Sequence, residues 1–323
     1  MNAPEPFVPP RWARWPHVQT ILAHLIPSPT PESPWRAESL SLADGDRLAL
    51  RIWEGCNSTV LFLFHGLAGS ADADYMRRTV ALGLARGWTV VAVNHRGSGE
   101  GRGMARRTYH SGATGDLAAV LAWGRERWPG HRHLAVGFSI SANMLLLLVG
   151  RDQHLAQPDL AIAVNPPGDL EAASRRLRQG FNRVYDLRFV KRLRRLAEEL
   201  GGRSLPPTAT LWDFDEVYTA QAAGFRDRLD YYTRCSCGSH LAGIRTPTVI
   251  LTSEDDPFAP ASDLGPVSPA VRLHVERSGG HMGYWAARPT PLGSRRWLDY
   301  ALEVCFRESY LSTTSRTGSS SSS

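Results

Sequence analysis

The sequence predicts an α/β fold with a mostly parallel central sheet, flanking helices and a helical cap insertion. Three observations predict it: strand-like and helical stretches alternate, several strands are continuous apolar runs rich in Val, Ile and Phe, and one long gap interrupts the alternation. Strands buried on both faces have this apolar character, and alternation with helices is typical of parallel sheets. The 323 residues fit one large domain or two small ones, and the apolar share of 42% excludes wholesale disorder.

The chain divides into three predicted parts. Residues 1–36, rich in Pro and Trp, are predicted to form an irregular arm packing on the core, and 37–311 to form the main domain. Residues 312–323 are polar and of low complexity, so we expect a disordered tail. Strands are predicted from apolar runs at 47–53, 59–64, 89–94, 133–138, 160–164, 248–252 and 271–275. Helices are predicted near 75–86, 116–128, 140–150 and 295–306.

The gap in the alternation predicts a cap. Between residues 164 and 248 no strong strand is predicted, and the segment has the pattern of helices and loops. An insertion of about 80 residues late in an α/β sheet is typical of a lid, so we expect a cap at about 165–245.

Charge gives only a weak indication of partners. The formal net charge is +6, from 37 Lys and Arg against 31 Asp and Glu, and Lys191 is the single lysine, a bias typical of GC-rich coding. Nine basic residues fall between Arg175 and Arg195, within the predicted cap. A solvated helix face explains this run most simply. Among its functional interpretations we favour peripheral contact of an interfacial helix with an anionic membrane, and we expect no nucleic-acid partner.

Cysteine usage and the first residues predict a soluble, cytoplasmic protein. Four cysteines are too few for a disulfide scaffold, and Cys235 and Cys237 form C-x-C, which is not the spacing of a zinc or redox pair. We therefore expect reduced, mostly buried thiols. The N-terminus lacks the unbroken apolar region of a secretory signal, and the longest apolar run, 144–149, is too short to span a bilayer.

The strongest local signal is the sequence GFSIS at 137–141, which follows a predicted strand and opens a predicted helix. It matches G-x-S-x-G except at its last position. In this motif the serine lies on a strained strand-to-helix turn, and small residues two positions away let strand and helix pack closely. Gly137 meets this need, whereas Ser141 and Ala142 are small without being glycine. Ser139 is therefore the candidate nucleophile, on a slightly tighter turn.

A catalytic serine needs a histidine base and an acid that orients it. The acidic loop SEDDP at 253–257 follows a predicted strand, and His281 lies between glycines about 25 residues further on, after the last predicted strand. The order Ser, Asp, His along the chain is that of an α/β-hydrolase. Asp256 is the preferred acid because its distances from the strand end and from a later proline match hydrolase acid loops. Asp255 is the alternative.

Two backbone N–H groups are expected to stabilise an oxyanion at this serine. Ile140 follows the candidate nucleophile and Leu67 lies in the FHGL loop after an early strand, so their amides are the candidate donors. His65 is expected to brace that loop. The glycines at 97–103 do not fit G-x-G-x-x-G, and the two histidines at 131–133 lack a third ligand, so neither a dinucleotide nor a metal site is expected.

Together these residues resemble the YheT-like family of α/β-hydrolases, which is related to the eukaryotic abhydrolase proteins and the yeast medium-chain ester synthases/esterases. The resemblance covers about residues 7 to 300, and the pattern from Asp215 to Asp256 is similar to that family's signature throughout. The motifs that carry it are HVQT at 17–20, LFHGLAGS at 63–70, NHRGSGEGRGMARRTYHSG at 94–112, GFSISANM at 137–144, FDEVYTAQAAGFRDRLDYYTRCS at 214–236, SEDDPF at 253–258 and GGHMGYW at 279–285.

The resemblance implies a triad of Ser139, Asp256 and His281 with carboxylic-ester hydrolase or acyltransferase chemistry and no cofactor. One departure, Ser141-Ala142 where relatives usually carry Gly-Gly, concerns the geometry of the serine turn. The implied substrate is a small-molecule short- or medium-chain acyl ester, in keeping with four apolar cap residues, Tyr185, Phe189, Trp212 and Phe214. The alternative is a catalytically inactive binding protein of the same fold, against which the presence of all three triad residue types argues.

Overall fold

One sheet of eight strands carries the fold, in the order β1-β2-β4-β3-β5-β6-β7-β8. The structure, a computed structural model, describes residues 3–27, 33–201 and 205–317. The strands are β1 Arg36–Ser41, β2 Arg47–Trp53, β3 Thr59–Phe64, β4 Thr89–Asn94, β5 Arg132–Phe138, β6 Leu160–Val164, β7 Thr248–Ser253 and β8 Val271–Glu276. Strands β3 to β8 pair in parallel, and β1 and β2 add an antiparallel edge. The predicted mostly parallel sheet is confirmed.

Helices connect the strands and flank the sheet. They are α1 Pro16–Leu25, α2 Asp74–Leu84, α3 Thr114–Arg127, α4 Ile140–Gly150, α5 Leu170–Leu177, α6 Arg183–Glu199, α7 Leu211–Phe214, α8 Ala220–Ala222, α9 Arg228–Cys235 and α10 Trp297–Thr317. A π-helical turn, Asp215–Thr219, joins α7 to α8, and short 3-10 turns lie at Arg11–Ala13, Gly99–Gly101, Gly180–Asn182, Gly238–Gly243 and Ala261–Asp263.

The core lies on both faces of the sheet. Alternate residues of a strand point to opposite faces, so Phe62 and Phe64 of β3 pack in the cluster formed with α3 and α4. Leu61 and Leu63 pack in a second cluster, formed with α2 and α10. Every residue of β3, β4, β6 and β7 is buried, which explains why these strands are continuous apolar runs in the sequence.

Strand β1 has no counterpart among the predicted strands. Its sequence, RAESLS, contains no apolar run, and its residues are exposed or half-buried. Because β1 pairs only with β2 at the edge of the sheet, it does not need the apolar residues that mark the inner strands.

The prediction of an irregular N-terminal arm was wrong over Pro16–Leu25, which form α1. Proline is common at the first position of a helix because its fixed φ suits the helix and its missing N–H would be unpaired there in any case. The prolines in this segment therefore indicate an irregular chain although a helix begins at Pro16.

The C-terminal prediction also needs correction. Helix α10 continues to Thr317, so residues 312–317, predicted to be disordered, are helical. Its first turns are buried against the sheet, and an established helix extends by one hydrogen bond for each residue added. The rest of the predicted tail, 318–323, lies outside the described residues.

We call residues 165–247, between β6 and β7, the cap segment. Its described residues form α5 to α9 and contain no strand. Leu177 and Tyr185 pack against Phe258 and Ala259, which follow β7, so the segment lies over the carboxyl end of the sheet. A second apolar cluster holds it together internally: Val190, Leu193, Ala197, Leu205, Ala209 and Phe214.

A buried ion cluster ties three parts of the main domain together. The Arg96 guanidinium, just after β4, donates to both carboxylate oxygens of Asp116 in α3 at 2.7 Å. It also donates to Asp44 at 2.6 Å and to Asp46 at 2.7 Å, in the turn between β1 and β2. Burial alone would raise the pKa of Asp44, but Arg96, the Asp46 backbone N–H and Arg107 together lower it to about 2.

We predict that Arg96→Met lowers the free energy of unfolding by about 3–5 kcal/mol at pH 7, because it leaves buried carboxylates without their cation. Urea unfolding measures this change. The matched control is Arg106→Met, since Arg106 also contacts Asp46 but is largely exposed, and it is expected to cost less than about 1 kcal/mol. An equal effect of the two substitutions would contradict the interpretation.

The same cluster makes the stability of the folded chain depend on pH. Because the pKa of Asp44 is depressed in the folded chain, its contribution to stability is full above about pH 4 and is lost as the pH falls towards 2. The Arg96→Met variant should lose less stability than wild type over that window.

Candidate active site

Ser139 lies on the sharp turn between β5 and α4, with φ 55° and ψ −118°. A non-glycine residue with positive φ is strained, and only close packing around it keeps it there. Gly137 makes that packing feasible, because a Cβ atom at this position would lie 2.4 Å from the Ser141 carbonyl oxygen. Close packing of the turn therefore requires glycine at residue 137, two positions before Ser139.

Ser141 shows how the turn accommodates its departure from glycine. The side chain is fully buried, and its Oγ donates to the His65 carbonyl oxygen. With that proton used, the His95 Nε2, at 2.7 Å, is the donor to Ser141 Oγ. Burial lowers the pKa of His95 to about 4, so the ring is neutral at pH 7. The extra hydroxyl thus links the serine turn to two strand-end loops.

Ser139, His281 and Asp256 are brought together in one hydrogen-bonded chain. The Ser139 Oγ lies 2.9 Å from His281 Nε2, and His281 Nδ1 lies 2.6 Å from Asp256 Oδ2. The backbone N–H groups of Phe258 and Ala259 donate to the other oxygen of Asp256. Burial alone would raise the pKa of Asp256, but His281 and these hydrogen bonds lower it, so the carboxylate is ionised.

Asp255, the alternative acid, faces elsewhere. Its Oδ1 accepts a hydrogen bond of 2.9 Å from the Gly280 backbone N–H, so it holds the loop before His281. Burial raises its pKa. Of the two neighbouring acids, the structure places Asp256 on the His281 ring.

Leu67 and Ile140 line the same cavity as Ser139. The amides on either side of Leu67 are already engaged, since Gly66 N–H donates to the Tyr75 hydroxyl and Ala68 N–H to the Tyr109 hydroxyl. The turn therefore presents residue 67 between two anchored neighbours.

His65 braces this loop, as predicted. Its Nδ1 donates to the Gly66 carbonyl oxygen at 2.8 Å, and its Nε2 accepts from the His95 backbone N–H at 3.2 Å. Burial lowers its pKa well below the usual value, so the ring is neutral at pH 7.

The cavity beside Ser139 occupies about 700 Å³, including its open mouth, and its lining is mainly apolar. Two of the four aromatic cap residues singled out in the sequence, Phe189 and Phe214, line it. Tyr185 instead packs on Phe258, which follows β7. Trp212 lies against arginine side chains. An apolar lining with a few polar groups is typical of small-molecule sites.

Two polar residues of the site were not recognised in the sequence. Asn165, directly after β6, donates from Nδ2 to Asp256 Oδ2 at 2.9 Å and has a positive φ of 47°. Asp215 lines the cavity and accepts a hydrogen bond of 2.8 Å from the Tyr232 hydroxyl, and burial raises its pKa to about 6. Two signals in the sequence could have indicated them. Asn165 stands at the end of a predicted strand, and Asp215 belongs to the pattern that resembles the family.

The arm reaches the histidine loop through α1. The Thr20 hydroxyl accepts a hydrogen bond of 2.9 Å from the His281 backbone N–H, and Gln19 Oε1 accepts one of 2.7 Å from Trp285 N–H. The contact is close, because a Cβ atom on Gly280 would lie 2.3 Å from the Pro16 carbonyl oxygen. The HVQT motif, whose role is not predictable from the sequence, therefore holds His281 in place.

Residues 3–27, 33–201 and 205–317, which the structure describes, provide no metal site. Over these ranges no group of three or more His, Cys, Asp or Glu residues could hold a metal ion. Three of the four cysteines are buried, as expected, and none of the four forms a disulfide in the described part of the chain. None of the helices in the described part of the chain has the length and apolar character needed to cross a membrane.

The family described as alpha/beta hydrolase fold matches this chain over residues 59–287, more than half of its length. The chain belongs to the α/β-hydrolase family. Among curated proteins this α/β-hydrolase is 33% identical over 314 residues to the candidate esterase YheT of Escherichia coli, covering 91% of this chain and 90% of that protein. It is 27% identical to the mouse phospholipase ABHD3, over 87% of this chain and 73% of that protein.

A further relative and two solved structures are also similar to this chain. A yeast medium-chain fatty acid ethyl ester synthase/esterase is 28% identical over 70% of this chain and 58% of that protein. The Pyrococcus furiosus esterase Pf2001 superposes with a TM-score of 0.56 at 16% identity, covering 87% of this chain and 97% of that one. A structure of an arylesterase gives a TM-score of 0.52 at 21% identity, over 89% and 88% of the two chains. Both superpositions show the fold.

We predict that Thr20→Val lowers the free energy of unfolding by about 1–3 kcal/mol, because it leaves the buried His281 N–H without its acceptor. The matched control is Thr252→Val. Thr252 is also buried, and its hydroxyl has no hydrogen-bond partner among the described residues, so this substitution should be neutral or stabilising. Denaturant unfolding of both variants tests the prediction, and equal losses would contradict a specific role for Thr20.

Proposed function

We propose that this chain is a serine hydrolase of carboxylic esters that acts through Ser139, His281 and Asp256. The observation that supports the proposal is the hydrogen-bonded chain from Ser139 Oγ through His281 to Asp256, at the edge of an apolar cavity. That arrangement supplies a nucleophile, a base and a group that orients the base.

In the first step His281 Nε2 takes the proton of Ser139 as Oγ attacks the ester carbonyl carbon. The tetrahedral oxyanion accepts hydrogen bonds from the Leu67 and Ile140 amides, and each such donor is worth about 3 kcal/mol in comparable sites. His281 then gives its proton to the leaving alcohol oxygen as the carbon–oxygen bond breaks. The product of this half-reaction is an acyl-enzyme on Ser139.

In the second step a water molecule attacks the acyl-enzyme while His281 Nε2 takes one of its protons. Collapse of the second tetrahedral intermediate breaks the bond to Ser139 Oγ, which recovers its proton from His281, and the acid leaves. An alcohol in place of water would give a new ester by the same steps, which is the acyltransferase reaction. Throughout, the ionised Asp256 holds His281 in one orientation and stabilises the imidazolium.

The cavity lining and the relatives' names support short- or medium-chain acyl esters as substrates. Phe189, Leu193 and Phe214 offer an acyl chain an apolar surface beside Ser139. The proteins to which this chain is similar are named as an esterase candidate, a phospholipase, a monoacylglycerol lipase and an ethyl ester synthase/esterase. The proposal includes the cytoplasmic location predicted from the sequence and needs no cofactor.

Labelling by a fluorophosphonate tests the nucleophile. The probe should form a stable adduct with wild type on Ser139, and Ser139→Ala should not react, because the probe loses fluoride and phosphonylates only an activated serine. Mass spectrometry of the labelled peptide identifies the site, and Ser141→Ala is the neighbouring serine control, expected to keep its label. A wild-type chain that fails to react, as expected of an inactive binding protein, would falsify the proposal.

Substituting the two adjacent acids separately tests the triad. Asp256→Asn should lower kcat for p-nitrophenyl butyrate about 10³- to 10⁴-fold, because a neutral amide neither stabilises the imidazolium nor selects the correct tautomer. Asp255→Asn removes the same charge one residue away and should lower kcat less than tenfold, since Asp255 faces the Gly280 amide. The assignment fails if Asp255→Asn is the more damaging change.

A further inference from the structure

Helix α6 has two faces of different character, and the proposed active site uses one of them. Phe189 and Leu193 face inward and line the cavity beside Ser139. On the opposite side Val184 and Leu187 are 54% and 47% exposed. Aliphatic side chains of this kind are stabilised by an apolar surrounding, which the described residues do not provide here.

The exposed face continues onto the N-terminal arm. Phe181 precedes α6 and is 40% exposed, and Trp15 is 51% exposed with its ring 5.1 Å from that of Phe181. Phe181, Val184 and Leu187 are spaced three residues apart, so they lie on neighbouring turns of one side. We call Trp15, Phe181, Val184 and Leu187 the apolar stripe.

Four exposed cations lie along α6 beside the apolar stripe: Arg183, Arg188, Lys191 and Arg195. Val184, Arg188, Lys191 and Arg195 follow one another at spacings of three and four residues, which places them on one side of the helix. No ion pair joins these four cations to an Asp or Glu of the described residues, whereas Arg194, on the same helix, pairs with Glu198. The surface therefore combines unpaired positive charge with exposed apolar area.

We propose that this face of α6 binds the surface of a bilayer that contains anionic lipid. The cations would lie against the lipid phosphates, and the apolar stripe would enter the boundary between headgroups and acyl chains. Tryptophan is common at that depth, because its ring is amphipathic. Charge complementarity and exposed apolar side chains on one helix face are the two features of an interfacial helix.

The aliphatic side chains favour lipid over nucleic acid. Phosphates of RNA would satisfy the cations equally well, and bases could stack on Trp15 or Phe181. Val184 and Leu187, however, gain nothing from phosphates or from base edges, and they need an apolar phase to leave water. A bilayer supplies both the phosphates and that phase.

The position of α6 connects the surface with catalysis. Its inward face lines the cavity and its outward face meets the lipid, so about one helix diameter, 10–12 Å, would separate the cavity from the bilayer. This part of the inference rests on the proposed function, and it assigns acyl esters that partition into membranes as the substrate class. Binding to the bilayer does not depend on turnover.

Co-sedimentation with vesicles tests the proposal. Wild type should bind vesicles of phosphatidylcholine with 30% phosphatidylglycerol, and phosphatidylcholine vesicles at least tenfold more weakly. Arg188→Glu should weaken binding to the anionic vesicles roughly tenfold or more, since each basic residue near the surface contributes about 1 kcal/mol. Leu187→Asn should weaken it about fivefold, since it removes apolar area that enters the lipid.

Matched controls come from elsewhere on the surface. Arg245→Glu reverses an exposed charge before β7, and Leu229→Asn replaces an exposed leucine on α9, so both should bind the vesicles like wild type. Circular dichroism and urea unfolding check that all four variants are folded. Ser139→Ala should bind like wild type, so a failure of the proposed hydrolase activity leaves this measurement intact.

The outcomes separate lipid from nucleic acid. Wild type that does not sediment with anionic vesicles overturns the proposal, as do α6 variants that bind like their controls. Binding to a structured RNA that Arg188→Glu weakens and Leu187→Asn does not, without binding to vesicles, also overturns it and assigns the face to nucleic acid. Loss of vesicle binding in both α6 variants, with both controls unchanged, supports it.

Discussion

The register of the parallel strands is the constraint on which the whole candidate site depends. Ser139, Asp256 and His281 follow three different strands and meet only because those strands end at the same level. Backbone hydrogen bonds set that level just below the site: Ser139 N–H to the Val164 oxygen, Asn165 N–H to the Leu251 oxygen and Glu254 N–H to the Glu276 oxygen, each 2.8 Å long. A slip of one residue would turn each strand's side chains to the opposite face, and the apolar packing on both faces opposes it.

Backbone strain in the described residues is concentrated around the same place. The non-glycine residues with positive φ are Ala68, Ser139, Asn165, Met282 and Tyr284. All five lie in the loops that surround the triad, and each such conformation costs about 1–3 kcal/mol unless its surroundings hold it. Close packing at Gly137 and Gly280 holds the chain in these conformations. So do the hydrogen bonds that anchor the two amides beside Leu67. These conformations lower the stability of the fold locally, and in return they hold the atoms of Ser139, His281 and Asp256 in one geometry.

Local pattern was enough to predict the inner strands and the three residues that meet. Strands β3 to β7 are buried on both faces, so their apolar runs are unambiguous. The distance of Asp256 from its strand end favours it but leaves Asp255 open, and the contact with His281 distinguishes the two. What the sequence could not show depends on contacts between distant segments. Thr20 bonds a residue 261 positions away, Asn165 one 91 positions away, and β1 is a strand only because β2 lies beside it.

The contact between Thr20 and His281 has a consequence for synthesis. Thr20 leaves the ribosome 261 residues before His281, from whose backbone N–H it accepts a hydrogen bond. A nascent chain therefore contains Ser139, the proposed nucleophile, 142 residues before it contains His281, the proposed base. The proposed reactivity towards esters would therefore arise only after His281 has been synthesised, and a chain released before that point would lack it.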